Sequence, residues 1–412
     1  MKFFFILVLT VLLSVSCTKR NVKPVAKKAT PNCDCTQQSI PAVETAKSVA
    51  MQDYALLKPA KWEDIEGYTE DDINVAWPAW LQSCSALKNI TQNNQQPWLA
   101  ACNAAGALSK SNKQPSKQEV QAYFVEFFNV YSTSNADDTN TGLITGYYQP
   151  LLKGSRNKSS QYPHPLYKQP ADLITVDLGE TYPELKNKRV RGKIKGNKLV
   201  PYPTRAEIET ATSPLAGNEL VWIDDQVEGF FLQVQGSGIV QLDNGQTMQV
   251  GYSDQNGQAY NSIGRVLIER GELTKDQAGM QGIKDWARNN PQKLRDLMNT
   301  NPSYVFFREL PAGLSGPLGA LGVPLTAERS VAIDPRYVPL GAPVFLSTTL
   351  PNSNKPLKKF MLAQDTGGAI KGGVRADYFW GAGETAGKQA GSMKQQGKIW
   401  VLLPKGFELP TK

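Results

Sequence analysis

A mainly β architecture of small barrels, preceded by a helical segment, is what this sequence predicts. From about residue 142 short runs rich in Val, Ile, Tyr, Phe and Trp recur, each closed by Gly, Pro or Asn, and many short punctuated strands favour barrels over one parallel sheet. Before them, from about residue 60 to 135, apolar residues repeat at helical spacing. With 412 residues and 41% hydrophobic content, the chain can bury more than one core.

The first residues read as a secretory signal: Lys2, an apolar run from Phe3 to Val15, then small residues leading into Cys17. The run is too short for a permanent membrane span, and no later run is long enough for one. Leu13-Ser14-Val15-Ser16-Cys17 is similar to a bacterial lipoprotein cleavage site, which predicts removal of residues 1–16 and lipidation of Cys17. The other reading is an ordinary cleaved signal followed by an incidental cysteine. Residues 17–50 read as a flexible tether, because Lys, Pro, Ala and Thr cannot bury a core. The formal charge of +8 is concentrated at this end: without Lys2 and the basic residues Lys19, Arg20, Lys23, Lys27 and Lys28, the rest is near balance. A basic tether is not a basic folded face, so nucleic acid is excluded as a partner.

Val120, Phe124, Phe127 and Tyr131 repeat as the core stripe of a helix. Trp80, Cys84 and Leu87 share one helical stripe, and Trp98, Cys102 and Ala105 share another, so two thiols can face each other across a helix pair. A disulfide between Cys84 and Cys102 would be worth about 3 kcal/mol in an oxidising compartment; two buried free thiols are the alternative. Cys33 and Cys35 sit in the tether in a Cys-Asp-Cys run that matches no zinc spacing.

The strand candidates after residue 142 are LITGYYQP, LVPYPT, ELVWIDD, GFFLQVQGSGIVQL and TMQVGYS, with Asp243-Asn244-Gly245 as a hairpin turn before the last. Two amphipathic helices follow, one around Ile263 to Ile268 and one from Asp276 to about Met298, the latter with Ile283 and Trp286 on one face. Strands return in SYVFF, SVAID, APVFL, FMLAQD and KIWVLL.

Several chemistries are absent. The only histidine, His164, sits between prolines and reads as a surface loop residue; without a Gly-x-Ser-x-Gly elbow, a serine triad has no support. Metal is not expected, for want of histidines and paired cysteines. Gly381-Ala-Gly383-Glu-Thr-Ala386 matches a loose dinucleotide fingerprint, but too little chain follows it to complete a nucleotide-binding sheet. Gly387-Lys388 is followed by Gln389, where a phosphate loop needs Ser or Thr for magnesium. No cofactor is implied.

Carboxylates remain. Between Phe360 and Gly383 an apolar strand ends at Asp365, a glycine-rich loop follows, and Asp377 comes beside Arg375, Tyr378, Phe379 and Trp380. Glycines allow close approach of a bulky ligand, aromatic faces stack on sugar rings, and an acid wedged among aromatics loses hydration and keeps its proton longer. The competing reading is structural: Asp365 caps a turn, Asp377 pairs with Arg375, and the aromatics are core.

Several stretches together resemble the membrane-bound lytic transglycosylase A family of murein-cleaving enzymes. They are Thr145-Gly-Tyr-Tyr-Gln-Pro150, Pro201-Tyr-Pro-Thr-Arg-Ala-Glu-Ile208, Phe230-Phe-Leu-Gln-Val-Gln-Gly-Ser-Gly238, Asn301-Pro-Ser-Tyr-Val-Phe-Phe307, Gly316-Pro-Leu-Gly-Ala320, Leu325 to Gly341, and Gln364-Asp-Thr-Gly-Gly-Ala-Ile370 with Arg375-Ala-Asp377. One departure is Gln149, where the family commonly carries glutamate. The resemblance implies a double-psi β-barrel with N-terminal helices, built from residues 51–143 and 309–408, and a second β-barrel inserted at 144–308, with a glycan groove between them. It implies Asp377 as catalytic acid and Asp365 lining the same site. Gln235, Gly236, Ser237, Gly367, Gly368 and Tyr378 are the candidate glycan contacts.

The implied reaction cuts the β-1,4 bond between N-acetylmuramic acid and N-acetylglucosamine and leaves 1,6-anhydro ends. A peptidoglycan hydrolase using both aspartates, or a non-catalytic peptidoglycan-binding lipoprotein, are the alternatives. The expected partners are peptidoglycan strands, outer-membrane lipid through acylated Cys17 at the periplasmic face, and cell-wall synthesis proteins.

Overall fold

The computed structural model describes residues 54–89, 95–182, 185 and 190–409. The signal, Cys17, the tether, Cys33 and Cys35 lie outside the described residues. After β1 (Leu57–Ala60) come three helices, α1 (Trp77–Leu87), α2 (Gln95–Ser111) and α3 (Lys117–Phe127). Cys84 and Cys102 are joined in a disulfide between α1 and α2, with their Cα atoms 5.3 Å apart. Trp80, wholly buried, packs against Trp98, Phe124 and Phe128.

Ser116 caps α3 through the backbone N–H of Glu119, whose carboxylate returns the bond to Ser116 N–H. The helical repeat expected to run on to Tyr131 stops at Phe127. β2 (Phe128–Thr133) pairs with β1 and with the last strand of the chain, because a β-branched and aromatic run gains more from a ladder on two sides than from another helical turn. β3 (Gly142–Gln149) follows.

A second set of elements begins after Pro150: β4 (Leu151–Ser155), β5 (His164–Tyr167), β6 (Ile174–Thr175), β7 (Arg191–Lys195), β8 (Lys198–Pro201), α4 (Arg205–Ile208), β9 (Glu219–Ile223), α5 (Gln226–Gln235), β10 (Ser237–Leu242), β11 (Thr247–Gln255), α6 (Ile263–Glu269), α7 (Met280–Asn289), α8 (Pro291–Asn299) and β12 (Val305–Glu309). Six of these strands form a sheet in the order β12-β11-β10-β4-β9-β5, and a bridge between Lys168 and Phe307 brings its ends together.

Two expectations are corrected here. The apolar run from Gly229 to Gln235 is helical, not extended: Asp225 accepts from Val227 and Glu228 N–H to start α5, and Gly236 ends it at φ 81°. The single helix expected from Asp276 to Met298 is two, broken at Asn290, because Pro291 has no N–H and forces the preceding residue out of the helical region.

The chain then returns to the first sheet with β13 (Ser330–Ile333), β14 (Pro343–Thr349), β15 (Pro356–Thr366), β16 (Ala376–Ala382), α9 (Gly383–Ser392) and β17 (Lys394–Pro404). The ring β17-β14-β15-β13-β16-β3 closes because the long β17 pairs with β14 at one end and β3 at the other. Two parallel pairs, β13 with β15 and β3 with β16, interlock within an otherwise antiparallel barrel, the double-psi arrangement. β3 belongs to this barrel, so the chain changes sheets at Pro150, inside the segment assigned from sequence to the insert.

The N-terminal helices and the barrel share one core. Arg329, just before β13, donates to Asp71 at 2.6 Å with both groups buried, and Asp71 also accepts from Phe360 N–H. No helix among the described residues is long and apolar enough to cross a membrane.

Candidate active site

β13 is the spine of the site. Its Ala332 is the register partner of Asp365 on β15 and of Asp377 on β16, and Asp377 is in turn the partner of Thr145 on β3. Register partners project from the same face of a sheet, so Asp365, Ala332, Asp377 and Thr145 form one row across four strands. At about 4.8 Å per strand, the backbones of the two aspartates stand about 10 Å apart. One extra residue in β15, Gln364, makes this possible. The register slips between Val331 and Ala332, and Gln364 turns inward to Ser330, Ser83 and the Ala79 carbonyl. That bulge re-aims the strand so that Asp365 joins the row.

Asp377 accepts from the Thr145 hydroxyl at 2.6 Å through Oδ1, and Thr145 accepts from Arg375 Nη2 at 2.9 Å. Arg375 thus acts on the carboxylate through a hydroxyl and makes no direct ion pair with it, unlike the structural reading offered from sequence. Tyr147, Leu325, Ala332, Ile370 and Phe379 form an apolar cluster on this face, with the Tyr147 and Phe379 rings 5.1 Å apart. Burial pushes Asp377 up to about 6; the Thr145 bond and the Arg375 charge oppose the rise, and the charge of Asp365 adds to it.

Asp365 caps the turn that follows it, accepting from Thr366 N–H and from Ala320 N–H, both at 2.9 Å. Burial raises its pKa, while these two donors and Tyr147 hold the rise back. The Tyr147 hydroxyl is buried beside both carboxylates, with Asp365 as its nearest polar neighbour and no hydrogen bond of full geometry among the described residues; burial first, then their charges, push its ionisation well above the ordinary range. The geometry therefore offers a half-buried acid that holds its proton near neutral pH, beside a second carboxylate fixed by backbone donors.

The remaining sequence candidates are dispersed. Tyr378 faces the other way: it is wholly buried in the barrel core, its ring tilted against Trp380 with centroids 4.7 Å apart, and so offers no ring face to a ligand, a correction to its expected role. Gly367 and Gly368 open the loop after Asp365, and a Cβ at Gly367 would lie 2.8 Å from Ile370. Gln235 sits at the end of α5 and accepts from Tyr148 N–H at 3.0 Å, which ties the second barrel to β3 beside the site; Gly236 and Ser237 follow it.

Thr145 and Tyr147 were not picked out from sequence as site residues. Both lie in the Gly-Tyr-Tyr run, but their closeness to Asp377 depends on a parallel pairing that no local signal announces. His164 is half-buried in β5, not on a surface loop. With Trp222, Gln226, Phe230 and Tyr304 it lines a separate cavity of about 630 Å³ in the second barrel, which neither site aspartate lines.

Comparison with known proteins agrees with this architecture. Residues 143–308 match the family described as MltA specific insert domain, and residues 329–403 match the 3D domain. The membrane-bound lytic murein transglycosylase A of Escherichia coli (strain K12) is 31% identical over 282 residues, covering 66% of this chain and 69% of that protein. The crystal structure of MltA from Neisseria gonorrhoeae, monoclinic form, superposes with a TM-score of 0.72 at 33% identity, covering 88% of this chain and 98% of that one. The lytic transglycosylase LtgG of Burkholderia pseudomallei gives a TM-score of 0.57 at 45% identity, covering 86% and 97%.

Proposed function

The chain belongs to the membrane-bound lytic murein transglycosylase A family, and from that premise we propose that it is a peptidoglycan lytic transglycosylase in which Asp377 is first the acid and then the base. The observation that carries the assignment is the row Asp365, Ala332, Asp377, Thr145, with an acid near pKa 6 at its centre.

Thr145 occupies Oδ1 of Asp377, so the transferable proton belongs on Oδ2. Asp377 gives this proton to the oxygen linking N-acetylmuramic acid to N-acetylglucosamine as the bond breaks toward an oxocarbenium-like state. The carboxylate so formed takes the proton of the muramic C6 hydroxyl, whose oxygen closes onto C1 and leaves a 1,6-anhydro ring. No water is consumed, and the sugar carries its own nucleophile, so one titrating acid suffices. Asp365, held by two backbone N–H groups, supplies negative charge for the developing cation.

A second reading has one observation in its favour. Backbones about 10 Å apart are compatible with the roughly 6.5–9.5 Å carboxyl separation of inverting glycosidases, with Asp365 as base for a water. Mass spectrometry of digested murein separates the two. Anhydro ends from the native chain, and none from Asp377→Asn, are the expected outcome; reducing ends would make it a hydrolase.

The membrane address is part of the same proposal. The Escherichia coli relative is named membrane-bound, and the Leu-Ser-Val-Ser-Cys17 run supplies a lipidation site for anchoring at the periplasmic face of the outer membrane, within reach of cell-wall synthesis proteins. Cys17→Ala should move the protein from the membrane fraction to the soluble one.

A further inference from the structure

We infer that Gln149 is a substrate-contacting residue that reads the acetamido carbonyl of a sugar near the scissile linkage; this rests on the murein-cleaving reading above and adds the group that is recognised. Side chains alternate along β3. Gly146 and Tyr148 turn toward α9. A Cβ on Gly146 would lie 2.6 Å from Trp380 Nε1 and 2.9 Å from the Ala390 Cα, and the Tyr148 ring packs with Ala386 and Ala390. Thr145, Tyr147 and Gln149 therefore share the opposite face, the one that carries Asp377.

On that face Gln149 is 2% exposed, and its Nε2 has no hydrogen-bond partner among the described residues. An amide donor taken out of water and left unpaired costs stability with nothing in return. Such a group in a native fold calls for an explanation, and an acceptor brought by a ligand supplies one. The strand is also held for the purpose: Gln235 fixes the Tyr148 N–H, between Tyr147 and Gln149, to the end of α5.

Distance and chemistry narrow the target. Four residues of strand put Gln149 about 13 Å from Thr145, so it meets a substituent on a neighbouring ring and not the reacting atoms. Nε2 can only donate. Every ring of an N-acetylated glycan carries an amide carbonyl, a stronger acceptor than a hydroxyl, and a glucose polymer carries none.

The test measures binding by calorimetry in the full chain carrying Asp377→Asn, with chitohexaose and cellohexaose as ligands. Adding Gln149→Leu or Gln149→Glu, each of which removes the N–H donor, should narrow the preference for chitohexaose by roughly tenfold or more. Gln149→Leu should leave the melting temperature unchanged or raised, because no partner is lost. A preference unchanged in both variants overturns the inference. The reaction is checked separately on the native chain: absence of anhydro ends there would strike the proposed activity, whereas an unchanged sugar preference strikes only Gln149.

Discussion

Thr145 and Asp377 are 232 positions apart in the chain and 2.6 Å apart in the fold, joined hydroxyl to carboxylate across the parallel pair β3 and β16. The same hydroxyl takes a bond from Arg375, so it passes part of a cationic charge to the acid without placing the cation against it. A direct ion pair would hold Asp377 ionised and useless as a proton donor; the relay steadies the carboxyl group while burial keeps its pKa near 6.

Thr145→Val removes the relay and leaves the shape. The bond from Thr145 lowers the pKa of Asp377, so its loss raises it. Activity requires the protonated acid, so the high-pH limb of the pH–rate profile should move to higher pH, while kcat falls by roughly tenfold as the carboxyl group loses its orientation. A limb that moves to lower pH would contradict the relay.

Asp365→Asn should move the same limb the other way. The negative charge of Asp365 raises the pKa of Asp377, and removing it lets Asp377 ionise earlier. Turnover should fall by about a hundredfold, because the developing cation loses its counter-charge. Opposite shifts in the two variants, measured on one murein substrate, would fix Asp377 as the group being titrated.

Much of this was legible in the sequence, and the part that was not has a physical reason. The change of texture near Gly142, the Asp243-Asn244-Gly245 turn and the facing stripes of Cys84 and Cys102 are local patterns, and local patterns survive translation into structure. The errors were contests decided elsewhere. Phe128 to Thr133 left the helix because two strands were available to pair with it. Gly229 to Gln235 became helical because Asp225 and Gly236 supplied its caps. Tyr378 sits beside Asp377 in sequence, but strand alternation sends its ring to the opposite face, whereas Thr145 and Tyr147 enter the site through a long-range pairing.

Asp71→Leu should destabilise the fold by about 3–5 kcal/mol, because it leaves Arg329 buried without its partner, and Arg329→Leu by less, because Lys359 at 4.0 Å still faces Asp71. Replacing both at once with apolar residues should cost much less. Denaturant midpoints across this double-mutant cycle check it, and additive losses would show that the pair does not act as a unit.

Cys84→Ala, or reduction in mild denaturant, should lower stability by roughly 3 kcal/mol, the effect of freeing a loop of this size in the unfolded chain. Murein cleavage by the folded fraction should be unchanged, since Asp365, Asp377, Thr145 and Tyr147 all lie on strands and the α1 contacts to Gln364, from Ala79 and Ser83, do not involve the sulfur atoms. Loss of activity without loss of fold would place the helix pair nearer the chemistry than the geometry does.

Asp377→Asn should abolish turnover and at the same time stabilise the protein, but only above a definite pH. The folded carboxyl group titrates near 6 and an unfolded one near 3.9. Between these values the folded state binds the extra proton, so native stability declines as pH rises through the window and levels off above it. Asparagine never ionises and escapes that loss. A shift of this size corresponds to about 3 kcal/mol in full burial; with the side chain partly reachable by water, a gain of about 1–2 kcal/mol at pH 8 is expected, shrinking to nothing near pH 4. Melting curves of the two proteins across that range decide it. A gain that is the same at pH 4 and pH 8 would mean that the native carboxyl group is not the sheltered acid on which the proposed chemistry depends.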